Sequence, residues 1–314
     1  MKIFIMTDME GCAGVCNARD YIHWDSRYYE YACELATLEV SAAVEGALEA
    51  GATEVLVMDA HGPGAMKRQL LHPRARLMTG RPVPPAFGWG LDGTFSAGMI
   101  IGQHAMSNTD GGHLAHTMSF EVEEYLLNGS PIGEMGLVML QAGYYGIPVV
   151  FVSGDEAACA EARTMIANIE AEPVKFGVPR GSASGLTGEE NAAFNSVATH
   201  LHPDEARALI REHAYRAVKR IPEIAPYRIE PPYTLTVAMR PEPGKKKGKR
   251  TVRKARDFID LLGLRGKPAR KTSSKKKAKT KTVAKKSWKK SAKKTAKKSK
   301  KTKARKGMKK RRKR

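Results

Sequence analysis

The chain has 314 residues, enough for one or two domains with a large buried core. Its formal net charge is +22, but 36 of its 54 Lys and Arg residues and only two of its 32 acidic residues lie in 245–314. Residues 1–244 therefore hold 18 basic and 30 acidic residues. This acidic body does not have the composition of a nucleic-acid-binding domain, and the positive charge belongs to the C-terminal segment.

The four cysteines do not form a recognisable disulfide framework. Cys12 and Cys16 are spaced too widely for the Cys-x-x-Cys pattern of zinc or redox sites. We therefore expect reduced thiols and a cytoplasmic protein. No basic start and small-residue cleavage site bracket the opening apolar run, so a signal peptide is not predicted. Because no apolar run approaches the ~20 residues that span a bilayer, we expect no membrane span.

The chain opens with an apolar run, residues 3–6, that predicts a buried strand and leads into Asp8, Glu10 and Gly11. Residues two apart on an extended chain project from the same face, so both carboxylates point the same way. Open α/β sheets carry their chemistry at the carboxyl ends of central strands. Alone, an Asp-x-Glu of this kind is more often a solvated turn, so the rest of the chain has to decide.

Buried strands alternate with amphipathic helices along most of the chain. The predicted elements are strands at 3–7, 54–59, 76–78, 97–102, 149–152 and 233–239 and helices at 36–47, from 134, at 155–169 and at 203–218. Asn128-Gly129 predicts a hairpin turn, and 170–200 has a weak pattern typical of loops. The alternation predicts parallel crossover units.

These elements predict an α/β fold with a largely parallel central sheet flanked by helices, a smaller C-terminal α+β part and a disordered basic tail. We expect a metal-binding catalytic domain over 1–155. The smaller part is expected over 156–244, with a helix at 203–220 and a strand at 233–239, and the tail over 245–314.

Several strands and one helix begin or end in residue types that bind metals. The candidate ligands or catalytic groups are Asp8, Glu10, His61, His104, His116 and Glu134. The strand ends among them meet at one edge of a parallel sheet. So many carboxylates and imidazoles exceed the three protein ligands of a catalytic zinc. They suit two metals, ~3.5–4 Å apart, that share a carboxylate and activate a hydroxide for attack on a carbonyl or phosphoryl centre.

Each of these residues also has an ordinary structural interpretation. A lone histidine is more often a core or surface residue, and Glu134 alone is typical of a helix start. Asp59 is interpreted as a partner of a ligand or a loop cap, and His113 as a site residue or a surface residue, with the surface preferred. The histidines without a site pattern are His23, His72, His200, His202 and His213. Spacing alone leaves a metal hydrolase and these structural interpretations equally supported.

An ordered set of motifs strengthens the first interpretation. The motifs are Thr7-Asp8-Met9-Glu10-Gly11, Val57-Met58-Asp59-Ala60-His61, Gly90-Leu91-Asp92-Gly93-Thr94-Phe95, Gly102-Gln103-His104-Ala105, Ala115-His116-Thr117-Met118, Asn128-Gly129 with Gly133-Glu134-Met135-Gly136, and Ala142-Gly143-Tyr144-Tyr145 before Pro148-Val149. Together they resemble the bacterial zinc-dependent D-aminopeptidases of the DppA type over roughly residues 1–240. No single motif is specific, but the combination is.

The resemblance implies two zinc ions per subunit, bridged by the residue matching Asp8. It implies that Glu10 and His61 complete one metal site, that His104 and Glu134 complete the other, and that the residue matching His116 is the catalytic histidine. It further implies removal of D-amino acids from short peptides such as D-Ala-D-Ala. The expected assembly is a decamer of two stacked pentameric rings.

Some points remain open at this stage. His116 suits an acid–base role, stabilisation of an oxyanion or direct nucleophilic attack. Cys12 and Cys16 lie near the proposed metals, but Asp, Glu and His already fill the sites. After the strand at 233–239, only 251–253 and 258–262 are similar to the family's ending. The smaller part is therefore expected to be truncated, a change that concerns the assembly rather than the metal site.

The segment from 267 to 314 consists almost entirely of Lys, Arg, Ala, Thr and Ser, with a single aromatic residue, Trp288. Such a composition cannot bury a core, so disorder is predicted. Spread lysines bind phosphate backbones without reading bases, and the composition resembles the tails of linker-histone-like DNA-binding proteins. We expect nucleic-acid contact through 245–314 and, as its consequence, an association with the nucleoid. A solubilising tail, or an anionic membrane surface, is the alternative.

Two alternatives to the peptidase stay open. The chain would instead be a nucleoid-associated DNA-binding protein whose metal-hydrolase body is inactive or serves as a scaffold. The second alternative is a metallophosphatase, in which a pair of metals would likewise activate a hydroxide.

Overall fold

The computed structural model describes residues 1–80 and 90–264. The strands in this part of the chain are β1 (Lys2–Thr7), β2 (Glu54–Asp59), β3 (Ala75–Met78), β4 (Ala97–Gln103), β5 (Val122–Leu127), β6 (Ser130–Pro131), β7 (Val149–Asp155), β8 (Glu170–Gly177), β9 (Ala198–His200), β10 (Tyr233–Met239) and β11 (Arg250–Ala255). The α-helices are α1 (Ala18–Tyr21), α2 (Tyr29–Glu49), α3 (Glu134–Tyr144), α4 (Glu156–Met165), α5 (Gly188–Phe194), α6 (Pro203–Lys219) and α7 (Phe258–Leu262).

The large sheet has seven strands in the order β3-β2-β1-β4-β7-β8-β9. All neighbouring pairs are parallel except β8 and β9. Every residue of β4 and β7 is buried, as expected for strands covered on both faces. From β1 the chain adds β2 and β3 on one side, and from β4 it adds β7 and β8 on the other. The order therefore reverses between β1 and β4, where α/β sheets form a crevice beyond the strand ends.

Helices cover this sheet. α2 and α6 pack against each other, and α2 faces the core with small residues such as Ala36, Ala43 and Ala47. Gly46 makes the close approach possible, because a Cβ there would lie 2.1 Å from the carbonyl oxygen of Arg211 in α6. The crossovers from β1 to β2 and from β4 to β7 run in opposite directions, so right-handed connections place α2 and α3 on opposite faces.

The smaller sheet is antiparallel, in the order β11-β10-β5-β6. β5 and β6 form the predicted hairpin, in which Asn128 has a φ of 52° and Gly129 a φ of 89°. Two positive φ angles in a two-residue loop are typical of a type I′ turn, which explains the Asn-Gly pair. The apolar face of this sheet packs on α3 and α7, through residues such as Leu127, Leu137 and Phe258.

The predicted fold class is confirmed: a mostly parallel sheet flanked by helices, with a smaller sheet beside it. No helix in the described ranges is long and apolar enough to cross a membrane.

The prediction of loops over 170–200 is wrong, since β8, α5 and β9 lie there. The sequence of β8 does not show a strand pattern, because it contains Pro173 and the buried Lys175, and neither residue type is typical of an interior strand.

The structure differs from the domain boundaries that we expected from the sequence. Strands from 156–244 join both sheets, and the described residues, 1–80 and 90–264, belong to one compact unit. A tail beginning at 245 needs correction for 250–262, since β11 pairs with β10 and α7 packs beside it. The predicted disorder of 267–314 lies outside the described residues.

Candidate metal centre

The carboxyl ends of three neighbouring strands hold the first group of candidate ligands. Thr7, the last residue of β1, pairs with Asp59 at the end of β2 and with Ile101 near the end of β4. Asp8 therefore lies beside His61, two residues beyond β2, and His104, the first residue beyond β4. The parallel register alone brings together residues that are about 100 positions apart in the chain.

A chain of close contacts joins these side chains to Glu134 at the start of α3. The distance from Glu10 Oε1 to His61 Nε2 is 3.4 Å. The distance from Asp8 Oδ2 to His104 Nε2 is 3.2 Å, and that from His104 Nε2 to Glu134 Oε1 is 3.6 Å. All five residues are at most 5% exposed. The structure thus brings together every residue predicted as a metal ligand.

His116 lies against the same cluster. Its ring stacks on His104, with centroids 3.8 Å apart, and on Phe120 at 4.4 Å. Its Nε2 is 3.8 Å from Glu134 Oε1, and its Nδ1 is 2.9 Å from the carbonyl oxygen of Leu114. A carbonyl only accepts, so Nδ1 carries the proton and Nε2 presents a lone pair to the cluster.

The donor atoms fit metal ions. Ligand atoms of Asp8, Glu10 and His104 lie within 4.8 Å of one another, and so do those of His104, His116 and Glu134. His104 Nδ1 is 2.9 Å from the carbonyl oxygen of Ala105, which leaves its Nε2 lone pair for a ligand. Among the described residues, Oε2 of Glu10 is buried without a hydrogen-bond partner. Such an oxygen is expensive to bury unless a cation or proton meets it.

The pKa values of the cluster also favour a bound cation. Burial, together with the charge of Glu10, raises the pKa of Asp8 to about 6, and burial raises the pKa of Glu134 to about 7. Burial opposes the charge of Glu10 as well, but His61 outweighs it and holds the pKa of Glu10 well below its usual value. Burial and the neighbouring His104 lower the pKa of His116 to about 3. Burial opposes the charge of His104 and His61, but the neighbouring carboxylates outweigh it, raising the pKa of His104 to about 10 and that of His61 above its usual value. In the absence of a metal, these imidazoles and Glu134 therefore hold protons, and a divalent cation would replace them.

The loop carrying His116 has an unusual backbone. Leu114 and Met118 have φ angles of 54° and 68°, in the left-handed region that costs a non-glycine residue about 1–2 kcal/mol. Both flank His116, and the backbone N–H of Met118 donates to Glu134. The strained loop is thus tied to the cluster that it serves, as is common at functional sites.

Asp59 acts as a loop cap. Its carboxylate accepts hydrogen bonds from the backbone N–H groups of Ala65, at 2.8 Å and 3.0 Å, and of Met66, at 3.1 Å. This holds the loop that carries His61. Of the two alternatives for Asp59, the structure shows the cap.

A cavity of about 1800 Å³ opens above the cluster. Its base includes Asp8, Glu10, His61, His116 and Glu134. Its walls come from residues 16–24, 58–63, 118–121 and 188–196. These segments are loops and the short helices α1 and α5, and they carry no periodic pattern in the sequence, so the sequence did not indicate Arg19, Trp24 or Phe120 as wall residues.

The prediction that His113 lies at the surface is wrong. It is 1% exposed, with Nε2 3.1 Å from the carbonyl oxygen of Cys16 and Nδ1 3.2 Å from Lys175 Nζ. Neither Cys12 nor Cys16 belongs to a candidate metal group among the described residues. Their sulfurs approach the backbone carbonyls of Asp8 and Gly14 instead.

The fold and the site together define a class: α/β proteins with a buried carboxylate–histidine cluster at the crevice of a parallel sheet. The D-aminopeptidase family model Peptidase_M55 matches residues 1–244, and the chain belongs to that family. The predicted membership is thereby confirmed.

Two relatives agree with this assignment. A D-aminopeptidase of Bacillus subtilis (strain 168) is 35% identical over 188 residues, covering 60% of this chain and 68% of the relative. A solved structure, described as the Zn-dependent D-aminopeptidase DppA from Bacillus subtilis, a self-compartmentalizing protease, superposes with a TM-score of 0.71 at 26% identity. That comparison covers 84% of this chain and 94% of the other.

Proposed function

We propose that this protein is a di-zinc aminopeptidase that removes D-amino acids from the amino termini of short peptides such as D-Ala-D-Ala. The arrangement of Asp8 between two pairs of ligands carries the proposal. Glu10 and His61 form one pair, and His104 and Glu134 form the other. Asp8 is 3.2 Å from His104 and shares a group of ligand atoms with Glu10, as a bridging carboxylate would.

Bound zinc would polarise the scissile carbonyl and make water a nucleophile near neutral pH. The chain's own contribution begins with His116. Its Nδ1 proton is held by the carbonyl of Leu114, so the imidazole keeps one orientation. The depressed pKa keeps the ring neutral, with Nε2 as an acceptor facing the cavity. We assign to Nε2 the acceptance of a proton from the attacking water and its return to the leaving amine.

The cavity walls suggest how a peptide is oriented. Arg19 is the only Lys or Arg among the described lining residues, and the acidic residues Asp20, Glu121 and Glu189 line the wall as well. We assign the carboxylate of the substrate to Arg19, because charged hydrogen bonds to a guanidinium are strong and directional. The acidic wall favours a positively charged amino terminus nearby.

Zinc dependence and stereochemical preference are tested on one preparation. Zinc is measured by elemental analysis, and hydrolysis of D-Ala-D-Ala is compared with that of L-Ala-L-Ala. We expect about two zinc ions per chain, a D-preference, and loss of activity with a chelator or in His116→Ala. His72→Ala is the matched control, since His72 contacts Arg74 rather than the cluster. Activity that survives both chelation and the His116 substitution would contradict the proposal, and a parallel phosphatase screen tests the alternative chemistry.

The solved relative is described as self-compartmentalizing, and we propose that this chain is also a homo-oligomer, with the decamer as the expected form. Light scattering coupled to size-exclusion chromatography measures the mass of the particle directly. A monomer at micromolar concentration would contradict the assembly without affecting the proposed metal site.

A second proposal concerns the C-terminal segment. The 36 Lys and Arg residues of 245–314 favour non-specific binding to nucleic acid, and a nucleoid association would follow. Because β11 and α7 belong to the fold, the informative truncation ends at Leu264 rather than at Gly244. We expect the full chain to bind duplex DNA with an affinity that falls steeply with salt, and the truncated chain to lose that binding. Equal affinities would rule out the segment as the binding element.

A further inference from the structure

A fully buried lysine lies directly beneath the proposed metal site. Lys175, in β8, is 0% exposed. Its Nζ is 2.6 Å from the carbonyl oxygen of Glu10 and 2.8 Å from the carbonyl oxygen of Val15. The ammonium therefore joins both ends of the loop that begins with the ligand Glu10. Lysine is almost never fully buried without such partners.

The third donor of Lys175 also has an acceptor. His113 Nδ1 is 3.2 Å from Nζ, and a lysine ammonium only donates, so Nδ1 must carry the lone pair. The ring proton is then on Nε2, which is 3.1 Å from the carbonyl oxygen of Cys16. Both contacts require the same tautomer, so His113 extends the hold of Lys175 to a third carbonyl of the loop.

Two further side chains accept hydrogen bonds from N–H groups of this loop. Ala13 donates its N–H to Glu39 Oε1 at 2.8 Å, and Gly14 donates to His200 Nδ1 at 3.1 Å. The loop from 10 to 16 is thus held by side chains from α2, the loop after β4, β8 and β9. Buried ionisable groups are costly, and apolar residues would fill the same space more cheaply. This cost points to placement of the loop as the purpose of the network.

We propose that Lys175 is a positioning residue for the metal site: by clamping the carbonyls of Glu10 and Val15, it fixes the Glu10 carboxylate against His61. The expected effect on zinc binding rests on the proposed function. The hydrogen bonds from Lys175 to the loop do not depend on it. Metal sites tolerate displacements of only about 0.2 Å in ligand distance. Loosening the loop at Glu10 should therefore weaken zinc at the Glu10–His61 site and spare the His104–Glu134 site.

The loop supplies its own reporter that needs no metal. Cys12 lies within it and is buried, as are Cys33 and Cys159, whereas Cys16 is exposed. In metal-free protein, labelling by a thiol reagent, followed by peptide mass spectrometry, measures how often the loop opens around Cys12. Lys175→Met removes the donors while keeping a long side chain. We expect Cys12 to be labelled at least tenfold faster in this variant than in the unmodified chain.

Val174→Ala is the matched control, because Val174 neighbours Lys175 in β8, is fully buried and belongs to the core. It lowers stability without removing a hydrogen-bond donor to the loop, because its side chain is apolar, so it should leave the labelling of Cys12 relative to Cys159 unchanged. His113→Leu is the second variant, in case Lys175→Met does not fold. It keeps the bonds to Glu10 and Val15, so a smaller acceleration is expected.

Zinc titration against a chromogenic chelator completes the test. We expect Lys175→Met to weaken one zinc site at least tenfold and to leave the other within twofold. Labelling of Cys12 no faster than in Val174→Ala, with both zinc affinities unchanged, would overturn the clamp. If the unmodified chain binds no zinc, the proposed function fails, while the labelling arm still decides whether Lys175 holds the loop.

Discussion

Gly11 is the residue of the site whose replacement has the most sharply defined consequence. A Cβ at Gly11 would lie 2.1 Å from the carbonyl oxygen of Gln103, 2.4 Å from its carbon and 2.5 Å from the carbonyl carbon of Gly102. These are backbone atoms at the end of β4, held in the sheet, so they cannot rotate away. Gly11 also donates its N–H to the carbonyl of Gly102 at 2.8 Å, which fixes the approach.

The size of the effect of Gly11→Ala follows from these distances. A carbon normally stays about 3.3 Å from a carbonyl oxygen, so the loop must shift by about 1 Å. Overpacking of this kind costs about 1–3 kcal/mol, and each kcal/mol lowers the unfolding temperature of a protein of this size by about 2–4 °C. Gly11 adjoins Glu10, and such a shift is several times the tolerance of about 0.2 Å in metal–ligand distances.

We expect Gly11→Ala to unfold roughly 2–12 °C lower and to bind zinc at least tenfold more weakly, a loss of about 1.4 kcal/mol or more. Differential scanning fluorimetry and zinc titration measure the two effects. Gly93→Ala is the control, because a Cβ at Gly93 meets nothing within 4 Å and its φ lies outside the left-handed range. If both variants unfold and bind zinc alike, the close packing of the loop on β4 does not govern the site.

Three other predictions concern the ligands, the cavity wall and an ion pair away from the site. Asp8→Ala should remove both zinc ions, whereas Glu10→Ala should remove mainly one; elemental analysis checks this, and equal losses contradict the bridge. Arg19→Met should lower kcat/KM about tenfold for a dipeptide with a free carboxylate and leave its C-terminal amide unaffected, whereas equal losses contradict carboxylate binding. Glu170→Gln should destabilise the fold by about 1–2 kcal/mol at pH 7, since Arg220 lies 2.8 Å from the Glu170 carboxylate.

The Glu170 prediction has a defined pH dependence. Burial opposes the charge of Glu170, but hydrogen bonds from Arg220 and His213 outweigh it and lower its pKa. An acid with a lowered folded-state pKa stabilises the fold above its unfolded pKa of about 4.3, and loses this contribution as pH falls through the folded value. The difference between Glu170→Gln and the unmodified chain should therefore shrink below about pH 4. A difference that stays constant from pH 7 to pH 3 would refute this.

Regular patterns made most of the large sheet predictable. The apolar runs of β1, β2, β4 and β7 are short, continuous and bounded by polar residues, which only buried strands satisfy at that length. β8 escaped prediction because its pattern is broken by a proline and by a buried lysine whose partners lie far away in sequence. The final β11–α7 unit was underestimated, because five of the six residues of β11 are exposed and its basic composition resembles the segment that follows.

The candidate metal cluster was predictable for a specific reason. Asp8, His61 and His104 follow parallel strands within two residues, and parallel register places such residues together whatever the intervening loops do. Asp8, His61 and His104 could therefore be chosen from strand ends. His113 and Lys175 could not, because a histidine in a Gly-rich loop and a lysine in a strand are usually exposed. Only the folded chain shows that each finds a buried partner.

By itself, the sequence determined the α/β architecture and the residues at the carboxyl ends of the parallel strands. Both depend on local periodicity and on where strands stop. The tertiary structure decided the distances within the cluster, the tautomers of His104 and His116, and the packing of Gly11 on β4. It also decided that Lys175 lies beneath Glu10, through a contact between residues 165 positions apart. Such contacts depend on how sheets and loops pack in three dimensions, and no local pattern in the sequence encodes them.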